Sequence, residues 1–99
     1  MTQLQDLLLK VREENLTKFQ LEEYFAKLSN YLSDLHITLA DLEKKEAMFM
    51  INDPEKTDAL MKRLWRGSED GLRKIEIVGL IRATRTQLNG LKARIFQTL

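Results

Sequence analysis

At 99 residues, the chain is long enough for one small domain, residues 1–99, and too short for two. Its 43% hydrophobic and 31% charged residues are typical of a soluble, folded, helix-rich protein and exclude a disordered chain. The lack of cysteine excludes disulfides and thiolate metal sites, and no apolar run approaches the ~18 residues that a membrane span requires.

The net charge of +1 conceals an asymmetry along the chain. Residues 1–53 carry six Lys or Arg and ten Asp or Glu, a net charge of −4, whereas residues 54–99 carry ten and five, a net charge of +5. No acidic residue follows Glu76, and the basic residues beyond it are Arg82, Arg85, Lys92 and Arg94. Such segregation predicts either pairing between the two halves or a surface for an anionic partner.

The N-terminal segment predicts a short helix that runs to about Glu14. Thr2 and Gln5 have the spacing of a capping box, and one apolar stripe follows at Leu4, Leu7, Leu8 and Val11. Acidic residues interrupt the segment, which also lacks a basic start and a small-residue cleavage site, so we expect no signal peptide. Together with the lack of cysteine, this favours a cytoplasmic location.

Three local signals agree that a second helix begins at Lys18. Thr17 can cap it, Gln20 completes a capping box, and the staple positions are occupied by Leu16 and Leu21. Nothing interrupts the helix before Pro54, so we predict a helix of about 18–51, roughly 50 Å long at 1.5 Å per residue. A compact domain of this size has a radius of gyration of about 13 Å, and the molecule must therefore be elongated.

Leu or Phe recurs in this helix with alternating spacings of four and three residues, at positions 21, 25, 28, 32, 35, 39 and 42. We call these seven positions the seam, because the spacing is that of a coiled coil. Positions 21, 28, 35 and 42 are d positions, and 25, 32 and 39 are a positions. Tyr24 and Tyr31 fall at g, which broadens the face to be buried and indicates at least two neighbouring helices, as in a bundle.

Two further helices are predicted after residue 53. Asp53 as cap and Pro54 as first residue predict a helix of about 54–66, with Leu60, Met61, Leu64 and Trp65 on one side. Gly67 is expected to end it, and Ser68 to cap a last helix of about 69–98. Apolar residues of the last helix stand at 72, 75, 78, 81, 88, 91 and 95, and its stripe centres on 77, 81, 84, 88, 91 and 95.

These elements predict an all-α fold, an elongated helical hairpin or coiled-coil bundle with a long central helix (about 18–51) and a long C-terminal helix (about 69–98). The C-terminal helix is expected to fold back antiparallel on the central one. Opposite charges on the neighbouring edges of an acidic and a basic helix stabilise the pair, although each exposed ion pair contributes only about 0–1 kcal/mol.

A single hairpin leaves many apolar side chains without cover. Ile37 falls at f, the stretch AMFMI at 47–51 is apolar on nearly every side, and Phe96 and Leu99 lie off the main stripe. Because monomers rarely expose this much apolar surface, we predict a homo-oligomer. Its predicted interface residues are Ile37, Met48, Phe49, Met50 and Ile51. The alternative is that the first and third helices cover these side chains.

No motif in the chain predicts catalysis. His36 is the only histidine, and because Asp34 and Asp41 share its face poorly, a structural or surface role is favoured over metal binding. No glycine-rich phosphate loop, nucleophile elbow or metal-ligand spacing is present. We therefore expect no enzymatic activity, cofactor, metal or small-molecule substrate.

The last helix offers a candidate contact for nucleic acid. Five polar residues with no acid among them gather along one edge of its apolar stripe: Lys74, Arg82, Arg85, Asn89 and Lys92. Such a row could follow phosphates, with Asn89 as a polar contact. The opposing hypothesis, which we favour, is that the acidic long helix pairs with the row.

The stretch Trp65-Arg66-Gly67 resembles the Trp-x-Gly turn of small helical type VII secretion substrates, which also form helical hairpins. Those proteins place the turn near mid-chain and carry a Tyr-containing C-terminal export signal. Here the turn lies two-thirds along the chain and no tyrosine follows Tyr31, so we interpret Trp65 as a core anchor beside a helix stop.

A second resemblance covers most of the chain. A short leading helix is followed by LADLEKKEAMFMIND, KTDALMKRLWRGSEDGLRKIE and LIRATRTQLNGLKARI. This layout resembles small helical proteins encoded by tailed bacteriophages, often near replication and recombination genes. The resemblance implies a cytoplasmic accessory protein of the infected host cell and assigns no site residue.

Two functional hypotheses follow from the sequence. In the first, the protein is a non-catalytic assembly or adaptor protein that self-associates through the seam and exposed apolar patches, and binds a protein partner. In the second, it is a nucleic-acid-binding accessory protein that uses the basic C-terminal helix in replication or recombination.

Overall fold

The computed structural model describes residues 2–97, apart from the side chain of Thr2. Within this range the chain forms four α-helices and no strand: α1 (Thr2–Lys10), α2 (Lys18–Met50), α3 (Asp58–Gly67) and α4 (Glu69–Gln97). The molecule measures 60 × 18 × 18 Å, with a radius of gyration of 17.9 Å against about 13 Å for a compact domain of this length. The prediction of an elongated all-α protein with two long helices is confirmed.

The start of α2 follows the local signals in the sequence. The Thr17 hydroxyl accepts a hydrogen bond from the Gln20 amide at 3.1 Å, and the Gln20 side chain accepts one from the Thr17 amide at 2.9 Å. Leu16 packs against the core, as a staple residue should. The helix then continues without a break to Met50, and Ile51 caps its C-terminus.

The first helix is shorter than predicted. It ends at Lys10 and not near Glu14. After Lys10 the chain forms turns in which a backbone amide donates a hydrogen bond to the carbonyl three residues earlier. The amide of Arg12 bonds to the carbonyl of Leu9, and that of Glu13 to the carbonyl of Lys10, both at 3.2 Å. The predicted Thr2–Gln5 capping box and the predicted end of the last helix near Thr98 lie outside the described residues.

The predicted start of the third helix is wrong. Helix α3 begins at Asp58, because Thr57 is its N-cap and accepts a hydrogen bond from the Leu60 amide at 3.2 Å. Asp53 accepts instead from the amide of Glu55, two residues on, at 3.2 Å. This local bond belongs to a turn and leaves Pro54 outside the helix.

The two long helices pack antiparallel and supply most of the core. Glu46 contacts Lys74 near the loop, whereas His36 contacts Arg85 farther from it. Residue numbers therefore decrease along α2 as they increase along α4, which makes the two helices antiparallel. The buried residues of this pair are Leu21, Leu28, Leu35 and Leu42 from α2, and Ile77, Ile81, Thr84, Leu88 and Leu91 from α4. The predicted hairpin is present, and the stripe of α4 centres where the sequence placed it.

Helix α1 covers one side of this hairpin. Its buried residues are Leu4, Leu7 and Leu8, followed by Val11. The Tyr31 hydroxyl donates a hydrogen bond to the Gln3 side chain at 3.3 Å. Tyr31 is a g position, so α1 is the second neighbour of α2 that the broad apolar face indicates.

Arg94 of α4 fixes the end of α1. Its guanidinium donates to the carbonyls of Val11 and Glu13, each at 2.7 Å. These two carbonyls belong to the turns that follow α1, just beyond its last residue Lys10, and the C-terminal end of a helix carries a partial negative charge. A cation at this point therefore satisfies them and ties the two ends of the chain together.

Helix α3 closes the other end of the hairpin. Trp65 is buried, and its ring centroid lies 5.6 Å from that of Phe49, which confirms the interpretation of Trp65 as a core anchor. Ser68 ends α3 and caps α4, since its hydroxyl donates to the Trp65 carbonyl and accepts from the Gly71 amide at 3.1 Å. A Cβ on Gly71 would collide with that same Trp65 carbonyl. The junction of α3 and α4 therefore requires glycine at position 71.

We expect Gly71→Ala to destabilise the protein, because the added methyl group must displace backbone at the α3–α4 junction. Gly79→Ala and Gly90→Ala are matched controls, since no atom lies within 4 Å of a Cβ at either position. Each control should stabilise its helix by about 0.5–1 kcal/mol. Urea unfolding followed by circular dichroism measures all three variants. A Gly71→Ala protein as stable as the controls would refute the junction described.

Thr84 is fully buried in the core, and its hydroxyl has no hydrogen-bond partner among the described residues. An unsatisfied buried hydroxyl destabilises the folded state by about 1–3 kcal/mol. Replacing it by the isosteric Val should therefore raise the free energy of unfolding by roughly 1 kcal/mol. Thr86→Val is the surface control and should change stability by less than about 0.5 kcal/mol. Destabilisation by Thr84→Val would show that the hydroxyl does have a partner.

Candidate interaction surfaces

The d and a positions of the seam are buried to different extents. The four d-position leucines are buried, each no more than 2% exposed, whereas the a-position residues Phe25, Leu32 and Leu39 are half-buried. Positions g and a flank the d positions on opposite sides of a helix. Helix α1 contacts the g side. Helix α4 contacts α2 through Glu46 at an a position and His36 at an e position, but it covers Phe25, Leu32 and Leu39 only in part. The expectation that all seven seam positions are buried therefore holds fully for the d positions and in part for the a positions.

The partly exposed a-position side chains line a groove between α2 and α4. Its floor consists of Phe25 and Leu32 of α2 with Leu88 of α4, and its α4 rim consists of Arg85, Asn89 and Lys92. We call these six residues the open groove. It lies on the face of the hairpin opposite α1, because α1 contacts the g-position tyrosine Tyr31.

The residues predicted to contact nucleic acid differ in their surroundings. Lys74 is neutralised, since its ammonium lies 2.7 Å from a carboxylate oxygen of Glu46. The remaining four, Arg82, Arg85, Asn89 and Lys92, are exposed on α4, and no described carboxylate pairs with them. The sequence favours pairing between the acidic and basic helices. Within the row, only Lys74 forms such a pair among the described residues.

The contact of Arg85 is with a histidine ring. Arg85 Nη2 lies 3.2 Å from His36 Nε2. Because a guanidinium can only donate, Nε2 of His36 is the acceptor in this contact. No carboxylate in the described part of the chain pairs with Arg85.

Two carboxylates of α2 pair within their own helix. Glu23 lies 3.0 Å from Lys27, and Asp41 lies 3.4 Å from Lys45, each one turn away. The hydrogen bond and charge of Glu23 raise the pKa of Lys27. These local pairs make Glu23 and Asp41 unavailable to the basic row of α4.

Large apolar side chains are exposed where α2, α3 and α4 meet at the closed end of the hairpin. Met48 and Ile51 of α2 are 62% and 78% exposed, and Leu72 and Ile75 of α4 are 58% and 62% exposed. With Leu60 and Leu64 of α3, which are also exposed, they form a set that we call the apolar end. Its six members are Met48, Ile51, Leu60, Leu64, Leu72 and Ile75.

The residues predicted to form an oligomer interface lie in different places. Met48 and Ile51 belong to the apolar end, Met50 is half-buried beside it, and Phe49 packs on Trp65 of its own chain. Ile37 is 70% exposed at the middle of α2. The alternative that α1 and α3 cover these side chains therefore applies to Phe49 and not to Ile37, Met48 or Ile51.

The apolar end is not predicted as a unit by the sequence. Leu60 and Leu64 are expected on one side of α3 with Met61 and Trp65, which are buried, and Leu72 and Ile75 are expected among the apolar positions of α4. A signal was present, because both helices carry more apolar positions near the loop than one helix face can bury. The open groove had no such signal, since the heptad spacing does not show which flank has a neighbour.

Within residues 2–97, no three His, Cys, Asp or Glu side chains form a group that could hold a metal ion. None of the described helices combines the length and the hydropathy needed to cross a membrane. No protein-family model, curated protein or solved structure matches the chain.

Proposed function

We propose that this protein is a non-catalytic helical assembly or adaptor protein that self-associates and binds protein partners. The observation that carries this proposal is the apolar end, where six large side chains stay in water although three helices meet there. A patch of this kind is typical of a surface that contacts another protein.

The apolar end suits self-association for a physical reason. A two-fold contact uses the same patch on both copies, so those side chains of the apolar end that share a face would leave water together from each copy. Full burial of one such side chain contributes up to about 1.5–3 kcal/mol. The half-covered coiled-coil seam and the exposed Ile37 add apolar surface along the same helix.

The layout shared with small helical proteins of tailed bacteriophages supports an accessory role of this kind. Such a protein would act in the host cytoplasm by holding other proteins together. No reaction is needed for this role, and the surfaces described above offer contacts and not reactive groups.

We expect the wild-type protein to have a mass of at least twice 11.6 kDa at micromolar concentration. The pair Ile51→Glu and Leu72→Glu should reduce it to the monomer, because buried carboxylates without partners oppose association. The matched control is Phe19→Glu with Leu9→Glu, equally exposed apolar residues outside the apolar end. Size-exclusion chromatography with light scattering measures the masses, and circular dichroism checks folding.

Two results would contradict self-association through the apolar end. One is a monomeric wild-type protein at tens of micromolar. The other is a control pair that dissociates the assembly as fully as the pair in the apolar end. Ile37→Glu forms a third arm and shows whether the middle of α2 belongs to the same interface.

A second candidate function is nucleic-acid binding by α4. It is favoured by the exposed residues Arg82, Arg85, Asn89 and Lys92, which face solvent without a described carboxylate partner. Ten residues of helix separate the first from the last, which is about 15 Å and long enough to follow several phosphates. The neutralised Lys74 and the net charge of +1 weaken this candidate.

Under this second function, Arg82→Ala with Lys92→Ala should weaken binding of labelled duplex DNA at every sequence and lower its salt dependence. The matched control is Lys62→Ala with Arg63→Ala, which removes the same charge from the exposed side of α3. Fluorescence anisotropy in low and moderate salt measures both pairs. The absence of DNA binding at low salt and micromolar protein would eliminate this candidate.

A further inference from the structure

We propose that the open groove binds a short, acidic amphipathic helix of a partner protein. This surface is separate from the apolar end, and it specifies the kind of partner that the adaptor function requires. The proposal rests on how the chain fills the opposite face of the same hairpin, and on the charges that line the groove.

The first argument is that α1 already shows how such a helix fits. Nine residues long, α1 packs against the α2–α4 hairpin through apolar residues at helical spacing, Leu4, Leu7, Leu8 and the following Val11. The open groove lies between the same two helices on their other face. Its apolar residues Phe25 and Leu32 are two turns apart, about 10 Å, which matches a helix of two to three turns.

The second argument is the charge of the rim. Arg85 and Lys92 stand two turns apart on the α4 side, with Asn89 between them, and the residues that line the groove include no carboxylate. A partner helix with glutamates beside its apolar stripe would place opposite charges against this rim. Arginine can hold a carboxylate through two parallel hydrogen bonds, and Arg85 has no charged partner of its own.

Other occupants use less of the groove. Nucleic acid would meet the rim cations but gain little from the apolar floor of Phe25, Leu32 and Leu88. A second copy carries a net charge of +1, so it gains little overall from the cationic rim. An acidic amphipathic helix is the occupant that matches both the floor and the rim.

The test uses the full chain and a labelled designed peptide of about three helical turns, with leucine at i, i+3, i+4 and i+7 and glutamate beside them. Fluorescence anisotropy should show saturable binding that weakens as salt increases. Two control peptides complete the comparison. Lysine in place of every glutamate should weaken binding at least about tenfold, and serine in place of every leucine should abolish it.

Variants of the protein locate the binding site. Arg85→Ala with Lys92→Ala should weaken binding of the glutamate peptide at least about tenfold. Lys44→Ala with Arg63→Ala removes two exposed cations elsewhere and should leave it unchanged. Asn89→Trp should block the groove, because Asn89 is exposed on the rim and its replacement leaves the core intact. Circular dichroism confirms that each variant is folded.

Several outcomes would overturn the proposal. Equal affinity for the glutamate and lysine peptides would refute an acidic partner. Undiminished binding of the glutamate peptide by the Arg85→Ala, Lys92→Ala variant would refute it as well. Tighter binding of a duplex oligonucleotide that is lost in this variant assigns the groove to nucleic acid. A mass that falls to the monomer in Asn89→Trp assigns the groove to a second copy. Self-association that persists in Asn89→Trp, while peptide binding is lost, supports a groove distinct from the apolar end.

Discussion

The packing of two long helices along a single line is the constraint on which the rest of the molecule depends. A hairpin 60 Å long and 18 Å across can bury only the stripe where α2 and α4 meet. Its d-position leucines fill that stripe, and every other apolar residue needs cover from elsewhere. Helices α1 and α3 are too short to supply it along the whole length, since they have 9 and 10 residues against 33 in α2. Exposed apolar surface is therefore a direct result of the geometry.

The sequence predicts features that rest on local chemistry and misses those that rest on the placement of neighbours. The start of α2 was predictable, because Thr17 and Gln20 form a box within three residues. The start of α3 was not, because Asp53 and Thr57 are both good caps and only the folded chain decides between them. Likewise, the heptad spacing locates the seam but cannot show that α1 lies on its g side and leaves Phe25 and Leu32 half-buried.

The charge asymmetry has a similar explanation. From sequence alone, an acidic helix beside a basic one predicts pairing across the hairpin, and Lys74 with Glu46 is such a pair. Two other carboxylates of α2, Glu23 and Asp41, pair with lysines one turn away in their own helix. A partner on the same helix is held close by the helix itself, whereas a partner on another helix requires long side chains to be ordered across the gap. The cations of α4 consequently stay on the surface.

The open groove and the apolar end lie far apart along the molecule, so the two proposed contacts do not compete for the same surface. Along α2, Leu32 of the open groove and Met48 of the apolar end are sixteen residues, or about 24 Å, apart. Copies joined at their apolar ends would therefore leave each groove free. An assembly of this kind would present several grooves at once, and a partner with more than one acidic helix would bind it more tightly than a single copy. Weak contacts at each groove would then suffice for a stable complex.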